Sequence, residues 1–169
     1  LKRYFLTATF RNDASSLFAE HHRWGFFPGI SAGWIMSDEP FMKNIKSINT
    51  LKLRASYGQT GNNSIGIYDA LGRYSTNARY DGNAGIVPNV MPNPNLTWET
   101  TTQLDLGFDF NLLDNRLSVI FDYFDKRTNN LLFKKELPNT SGFKDINTNV
   151  GKVKFYGFDI EVSSVNIRN

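Results

Sequence analysis

Two pairs of carboxylates and one pair of histidines are the side chains of this sequence best equipped to do chemistry. Asp105 and Asp109 lie four positions apart, and Asp159 and Glu161 two apart. Paired carboxylates carry glycoside hydrolysis, one as acid and the other as base or nucleophile. His21 and His22 are adjacent and are the only histidines. Imidazoles bind zinc when cysteines or further acids complete the ligand set. Neither chemistry is supported by its surroundings. The chain has no cysteine, and neighbouring residues on a strand face opposite ways. Each carboxylate pair falls on the polar row of a strand, where a hydrated face accounts for it. Asp122, Asp125, Lys126 and Arg127 read as a solvated or interfacial charge cluster. Gly58, Gly61 and Gly66, with Gly82 and Gly85, lack the strand–turn–helix setting of a phosphate loop. They suit turns, because glycine takes positive φ readily. No catalytic residue, metal or cofactor is expected, and the chain does not read as an enzyme.

Recognition is the better prospect. Tyr68, Arg73, Tyr74, Arg79, Tyr80 and Trp98 are spread through residues 60–100, a long connection rich in Asn, Gly and Pro. Aromatic planes and guanidinium groups stack on sugars or peptides at low entropic cost, and loops on rigid scaffolds often carry binding. The competing expectation is that these residues fold the loop on itself or close a mouth. On that view Trp98, just ahead of a strand, is an interfacial anchor.

The elements that position these residues are strands. Apolar and polar residues alternate along 3–11, 51–58, 101–110, 116–123 and 156–163, as in the row Leu104, Leu106, Phe108, Phe110 set against Gln103, Asp105, Gly107, Asp109. That period puts one apolar and one polar face on each segment. The segment RWGFFPGISAGW (23–34) follows the same rule after Pro28, which is expected to open its strand. One helix of a turn or two is expected within 36–50, capped by Ser37 with Asp38, Glu39 and Pro40 in its first turn.

The connections have an order of their own. Long ones at 12–22, 60–100 and 128–151 would fall at one end of an up-and-down sheet, and the tight turn at 111–116 and the 36–50 segment at the other. Short turns on one side and long loops on the other mark outer-membrane barrels. The composition allows this reading. Mean hydropathy is −0.38, 14% of residues are aromatic, and no apolar run approaches the ~18 residues of a membrane helix. A net charge of +3 without basic runs gives no case for nucleic acid. The chain opens on Leu1 with no secretory signal and is expected to begin inside a longer protein. Charges within the polar rows suit a barrel lumen. Phe26, Phe27, Trp34, Phe108, Phe110, Tyr123, Tyr156 and Phe158 are expected to face lipid or form girdles at the headgroup level. A soluble carbohydrate-binding β-sandwich also alternates, and it would bury Ile30 and Trp34 against a second sheet.

Four blocks, FAEHHRWGFFPGISAGWIMSDEPFMK (18–43), LKLRASYGQTGN (51–62), NPNLTWETTTQLDLGFDF (93–110) and NVGKVKFYGFDIEV (149–162), carry a further signal. In this order they resemble the SusC/RagA-type TonB-linked outer-membrane transporters of the Bacteroidetes. The resemblance implies that residues 1–169 form about seven antiparallel strands of a plugged transmembrane β-barrel of about 22 strands. It implies a signal peptide, plug domain and terminal strands outside this sequence. It also implies residence in the bacterial outer membrane among its lipids, a SusD-like surface lipoprotein at the outer face, and energy from the TonB complex. The cargo would be an oligosaccharide or a peptide. The alternative expectation is a non-transporting binding module, either a surface adhesin barrel or the sandwich above.

Overall fold

The computed structural model describes residues 3–45 and 47–167. Eight strands make one sheet, one more than the sequence count: β1 (Tyr4–Ala14), β2 (Trp24–Ile35), β3 (Ile48–Asn62), β4 (Arg73–Tyr80), β5 (Asn83–Met91), β6 (Glu99–Leu112), β7 (Leu117–Glu136) and β8 (Asp145–Ser164). Their order is β1-β2-β3-β6-β7-β8-β5-β4. Every pairing is antiparallel except a two-residue parallel contact of β5 with β8, Val90 with Asp145 and Met91 with Ile146.

Register lines up the alternation of neighbouring strands. Trp34 pairs with Leu53, Leu53 with Phe108, Phe108 with Phe121 and Phe121 with Ile160. One face is therefore an unbroken apolar field. The other carries Arg54 beside Gly107, Ser56 beside Asp105, and Gly107 beside Asp122. A one-residue slip anywhere would turn polar side chains into the apolar field, so the pattern itself fixes the pairing. No second sheet covers the apolar face among the described residues. Ile30 is half exposed at 51%, which removes the sandwich reading.

The long 63–98 connection and the tight 113–116 turn fall at opposite ends, as the spacing predicts. The 36–47 connection at the turn end is longer than those at 15–23 and 137–144, and three local expectations change. The 128–151 stretch is no loop: β7 and β8 continue to Glu136 and restart at Asp145, leaving residues 137–144 as the connection. The 60–100 stretch contains the β4–β5 hairpin, turned by Asp81 (φ 49°) and Gly82 (φ 79°). The helix expected within 36–50 is a single 3-10 turn, Met36–Asp38, without a side-chain cap. Glu39 is extended at ψ 147°, because Pro40 disfavours the helical region for the residue before it.

Pro28 also sits inside β2 rather than at its start, opposite Phe10 of β1. Pairing with β3 begins only at Gly29. The missing N–H thus falls where β2 is laddered on one side.

Candidate functional site: an inner wall and its outer rim

The polar face is a concave wall held by charge pairs between strands. Arg54 Nε donates to Asp109 Oδ1 at 3.0 Å, and its Nη2 reaches Asp122 Oδ2 at 3.1 Å. Two strands are crossed by one guanidinium, a fork suited to two carboxylates. Asp122 lies over bare backbone: a Cβ on Gly107 would collide with its carboxylate. One strand-step toward the loops, Asp105 accepts from Ser56 Oγ at 3.0 Å and Gln103 Nε2 at 2.8 Å. Above these residues a concavity of about 690 Å³ opens, with Thr7, Thr9, Ser31, Thr60, Thr101 and Lys126 among its lining. The wall offers hydroxyl, amide and ammonium groups, a surface for hydrated or hydrogen-bonding partners. Asp105 and Asp109 are not placed as a hydrolytic pair. Asp109 is committed to Arg54, and four residues of strand put Asp105 about 13 Å from it, beyond the span of hydrolytic carboxylates.

At the loop end, the chain folds a small core of its own from Phe18, Phe27, Ala70, Leu96 and Trp98. Trp98 packs its ring at 5.4 Å from both Phe18 and Phe27 and donates from Nε1 to the Arg23 carbonyl at 3.0 Å. Phe27 fills the space over Gly25 and Gly61, where any side chain would meet its ring. Polar straps tie this core to the β7–β8 extension. Asn149 Nδ2 donates to Thr97 O at 2.9 Å while its Oδ1 accepts from Thr97 N at 2.8 Å. Asn147 Nδ2 donates to Asp69 at 2.8 Å, and Asp69 also pairs with Arg73 at 2.9 Å. Asn130 (φ 55°) and Gly151 (φ 63°) put paired left-handed residues in the extension, between its base and these straps.

The opposite end closes on Glu39. Tyr4 Oη donates to its carboxylate, Trp34 Nε1 donates at 3.2 Å, and Arg3 Nη1 at 3.0 Å. The hydrogen bonds from Tyr4 and Trp34, with the charge of Arg3, hold the Glu39 carboxyl below the usual carboxylate range.

The structure divides the loop residues singled out for recognition. Tyr68, Tyr74 and Tyr80 are exposed, Tyr80 most of all at 86%. Arg73, Tyr74, Arg79 and Tyr80 share strand β4, the sheet's last strand, and Arg73 is held by Asp69. Trp98 is different. It is 9% exposed and belongs to the rim core, the placement expected where the loop folds on itself.

The aromatics divide too. Phe26 stacks on Phe10 at 6.4 Å on the apolar face, and Trp34 on Tyr4 at 6.1 Å. Phe108, Phe121 and Phe158 run as a stacked series at 5.4 and 6.4 Å, with Phe110, Tyr123 and Tyr156 on the same face. Phe27 is the correction: next to Phe26 on a strand, it must point to the polar face, where it is buried beneath Arg11. His21 and His22 fall in the 3-10 turn Glu20–His22.

Sequence reasoning missed the Glu39 hub, the Asn147 and Asn149 straps and the β4–β5 hairpin. Only the last had a local signal: Tyr80-Asp81-Gly82-Asn83 is an Asp-Gly hairpin turn.

Comparison with known proteins agrees with this geometry. The family described as TonB dependent receptor-like, beta-barrel matches residues 1–166. A TonB-dependent receptor of Formosa agariphila is 40% identical over 167 residues, 99% of this chain and 16% of the relative. The TonB-dependent receptor SusC of Bacteroides thetaiotaomicron is 33% identical over 172 residues, 97% of this chain and 17% of its own length. The chain thus spans about a sixth of the curated relatives it matches. Among solved structures, the RagAB peptide importer in its closed-closed state superposes with a TM-score of 0.89 at 29% identity, over 99% of this chain and 18% of that one. The siderophore receptor PirA of Pseudomonas aeruginosa, at 17% identity and a TM-score of 0.60, covers 94% of this chain and 28% of its own and shares the fold. These relatives are receptors and importers, not enzymes. With a half-barrel sheet, an apolar outer field and a polar inner wall, the chain belongs to the TonB-dependent receptor-like β-barrel family.

Proposed function

We propose that this chain is part of the wall of an outer-membrane importer driven by the TonB complex, working with a SusD-like lipoprotein at its outer face. One observation carries the reading: a single sheet presents lipid-compatible side chains on one face and a hydrogen-bonding wall on the other. In a membrane such a sheet has to close into a barrel, because an open edge leaves backbone groups without partners in hydrocarbon. The free edge of β1 and most of that of β8 then continue into further strands, and a plug occupies the inner wall.

Transport in this scheme is binding and gating, with no covalent step. The exposed residues Tyr68, Tyr74, Arg79 and Tyr80 on the rim are the ones we assign to cargo or the lid. The cargo is an oligosaccharide or a peptide, and the likeness to the RagAB peptide importer supports the peptide arm. The test is deletion of the gene encoding the full receptor, alone and with its lipoprotein partner. Growth is then followed on defined oligosaccharides and peptides as sole source. Loss of growth on one cargo class supports the reading. Unchanged growth on every cargo overturns it in favour of an adhesin barrel.

A further inference from the structure

On β7 and β8 the outward face changes character at one level. From the turn end upward it carries Leu117, Val119, Phe121 and Tyr123 on β7, paired in register with Ser164, Val162, Ile160 and Phe158 on β8. The next outward positions are Asp125 beside Tyr156, Arg127 beside Lys154, and Asn129 beside Lys152. Three cations and one carboxylate thus sit directly above the apolar field. Leu117 to Asp125 is about 26 Å along the strand at ~3.3 Å per residue. At a barrel tilt of ~40° this amounts to roughly 20 Å of height, a little under the apolar band of an outer-membrane barrel. The cations therefore stand at headgroup level. At the same level the neighbouring strands present only Thr102 on β6 and Gln59 on β3. The charge is confined to this pair of strands.

The cluster is built rather than scattered. The Asp125 side chain is only 11% exposed and is bound by Arg127 Nε at 2.8 Å and Lys154 Nζ at 3.0 Å. Lys154 Nζ also lies 4.8 Å from the centre of the Tyr156 ring. Both cations are thereby held upright against the sheet with donors to spare: Arg127 keeps Nη1, and a lysine ammonium has three N–H groups. Lys152 is exposed and lies about 7 Å from Lys154 on the same face. Strand geometry decides the face these side chains take, so a further strand beside β8 would leave them pointing outward.

We propose that Arg127, Lys152 and Lys154 form a binding site for the phosphate headgroup of an outer-leaflet lipid. The observations select a lipid over free phosphate because on β8 the apolar surface runs on beneath Lys154 through Tyr156 and Phe158. Tyr156, Phe158 and Tyr123 there receive the acyl chains of the same molecule whose phosphate the cations hold. A guanidinium and two ammonium groups match phosphate oxygens through charge-assisted hydrogen bonds. This inference rests on the outer-membrane reading above.

The experiment uses the full-length receptor in three forms: wild type, the single variant Lys152→Gln, and the triple variant Arg127→Ala/Lys152→Ala/Lys154→Ala. Each is first located by membrane fractionation. It is then purified in mild detergent and incubated with phosphorylated lipid A or with its dephosphorylated form, and retained lipid is counted by native mass spectrometry. Wild type is expected to retain the phosphorylated lipid roughly tenfold better than the dephosphorylated one, since each cation near an anionic lipid surface contributes a several-fold factor. The triple variant is expected to retain both alike. Lys152→Gln leaves the Asp125 clamp intact, so it is expected to fold normally and lose preference by a few-fold. Equal retention of both lipids by wild type, or undiminished preference in both variants, overturns the site. Complete displacement by inorganic phosphate also overturns it, in favour of a free anion. A receptor absent from the outer-membrane fraction instead overturns the parent reading, and the site with it.

Discussion

Asp122 of β7 lies across the bare backbone of Gly107 on β6, and only the missing side chain lets its carboxylate reach Arg54 at 3.1 Å. Gly107→Ala puts a Cβ against that carboxylate and pushes Asp122 off the guanidinium. The expected cost is about 1–3 kcal/mol, as for other overpacked sites, read as a lower thermal midpoint of the full receptor in detergent. In an Asp122→Ala background the same substitution is expected to cost much less. A double-mutant cycle showing simple additivity would contradict the arrangement.

The rim core makes a separate prediction. Phe27→Ala removes the ring that fills the space over Gly25 and Gly61, and about 3–5 kcal/mol is expected for a buried aromatic truncation. The loss is local, so the readout is protease cleavage within residues 63–98 while β1–β3 and β6–β8 stay protected. Trp98→Phe keeps much of the packing but loses the hydrogen bond to the Arg23 carbonyl. It is expected to cost about 1 kcal/mol beyond its lost volume.

Glu39 gives a pH dependence of known sign. Its folded carboxyl titrates below the unfolded value, with the Tyr4 hydrogen bond as the leading cause. The stabilisation is therefore complete above the unfolded carboxylate value of about 4.3 and disappears as pH falls through the lower folded value. Glu39→Gln is expected to lower the midpoint at neutral pH and to flatten its decline in acid. Parallel pH curves for wild type and variant would refute the assignment.

Cargo or lid contact at the hairpin predicts a functional loss without a structural one. Tyr74→Ala, Arg79→Ala and Tyr80→Ala are exposed-residue changes, expected to leave receptor abundance in the membrane unaltered. Each is expected to weaken binding by about 1–2 kcal/mol if it is an aromatic or arginine anchor. Unchanged cargo affinity in all three variants would move the contact elsewhere.

Much of this fold is legible because a barrel strand writes its two environments directly into a period of two. Leu104, Leu106 and Phe108 against Gln103, Asp105 and Gly107 state the element, its faces and its register at once. The contrast between the 60–100 connection and the tight turn at 111–116 states which end is which. The lengths of β7 and β8 were harder to read. Past Thr128 consecutive polar residues and then Leu131, Leu132 and Phe133 interrupt the alternation, and the period of two fades.

What the sequence determined by itself, then, is everything set by neighbours along the chain: strand identity, the apolar field, the polar wall and the family. What only the tertiary structure decided is what each side chain meets. Alternation alone turns Phe27 to the polar face, but that it seals the rim there depends on Trp98 and Phe18 being brought to it. Trp98 looks like a surface anchor until Phe18, a distant residue, is brought against it. Glu39 reads as a helix acid until Tyr4, 35 positions away, reaches its carboxylate. Alternation depends on local backbone geometry, whereas these contacts depend on closing long loops, and nothing in the local pattern encodes which partners such closure brings together.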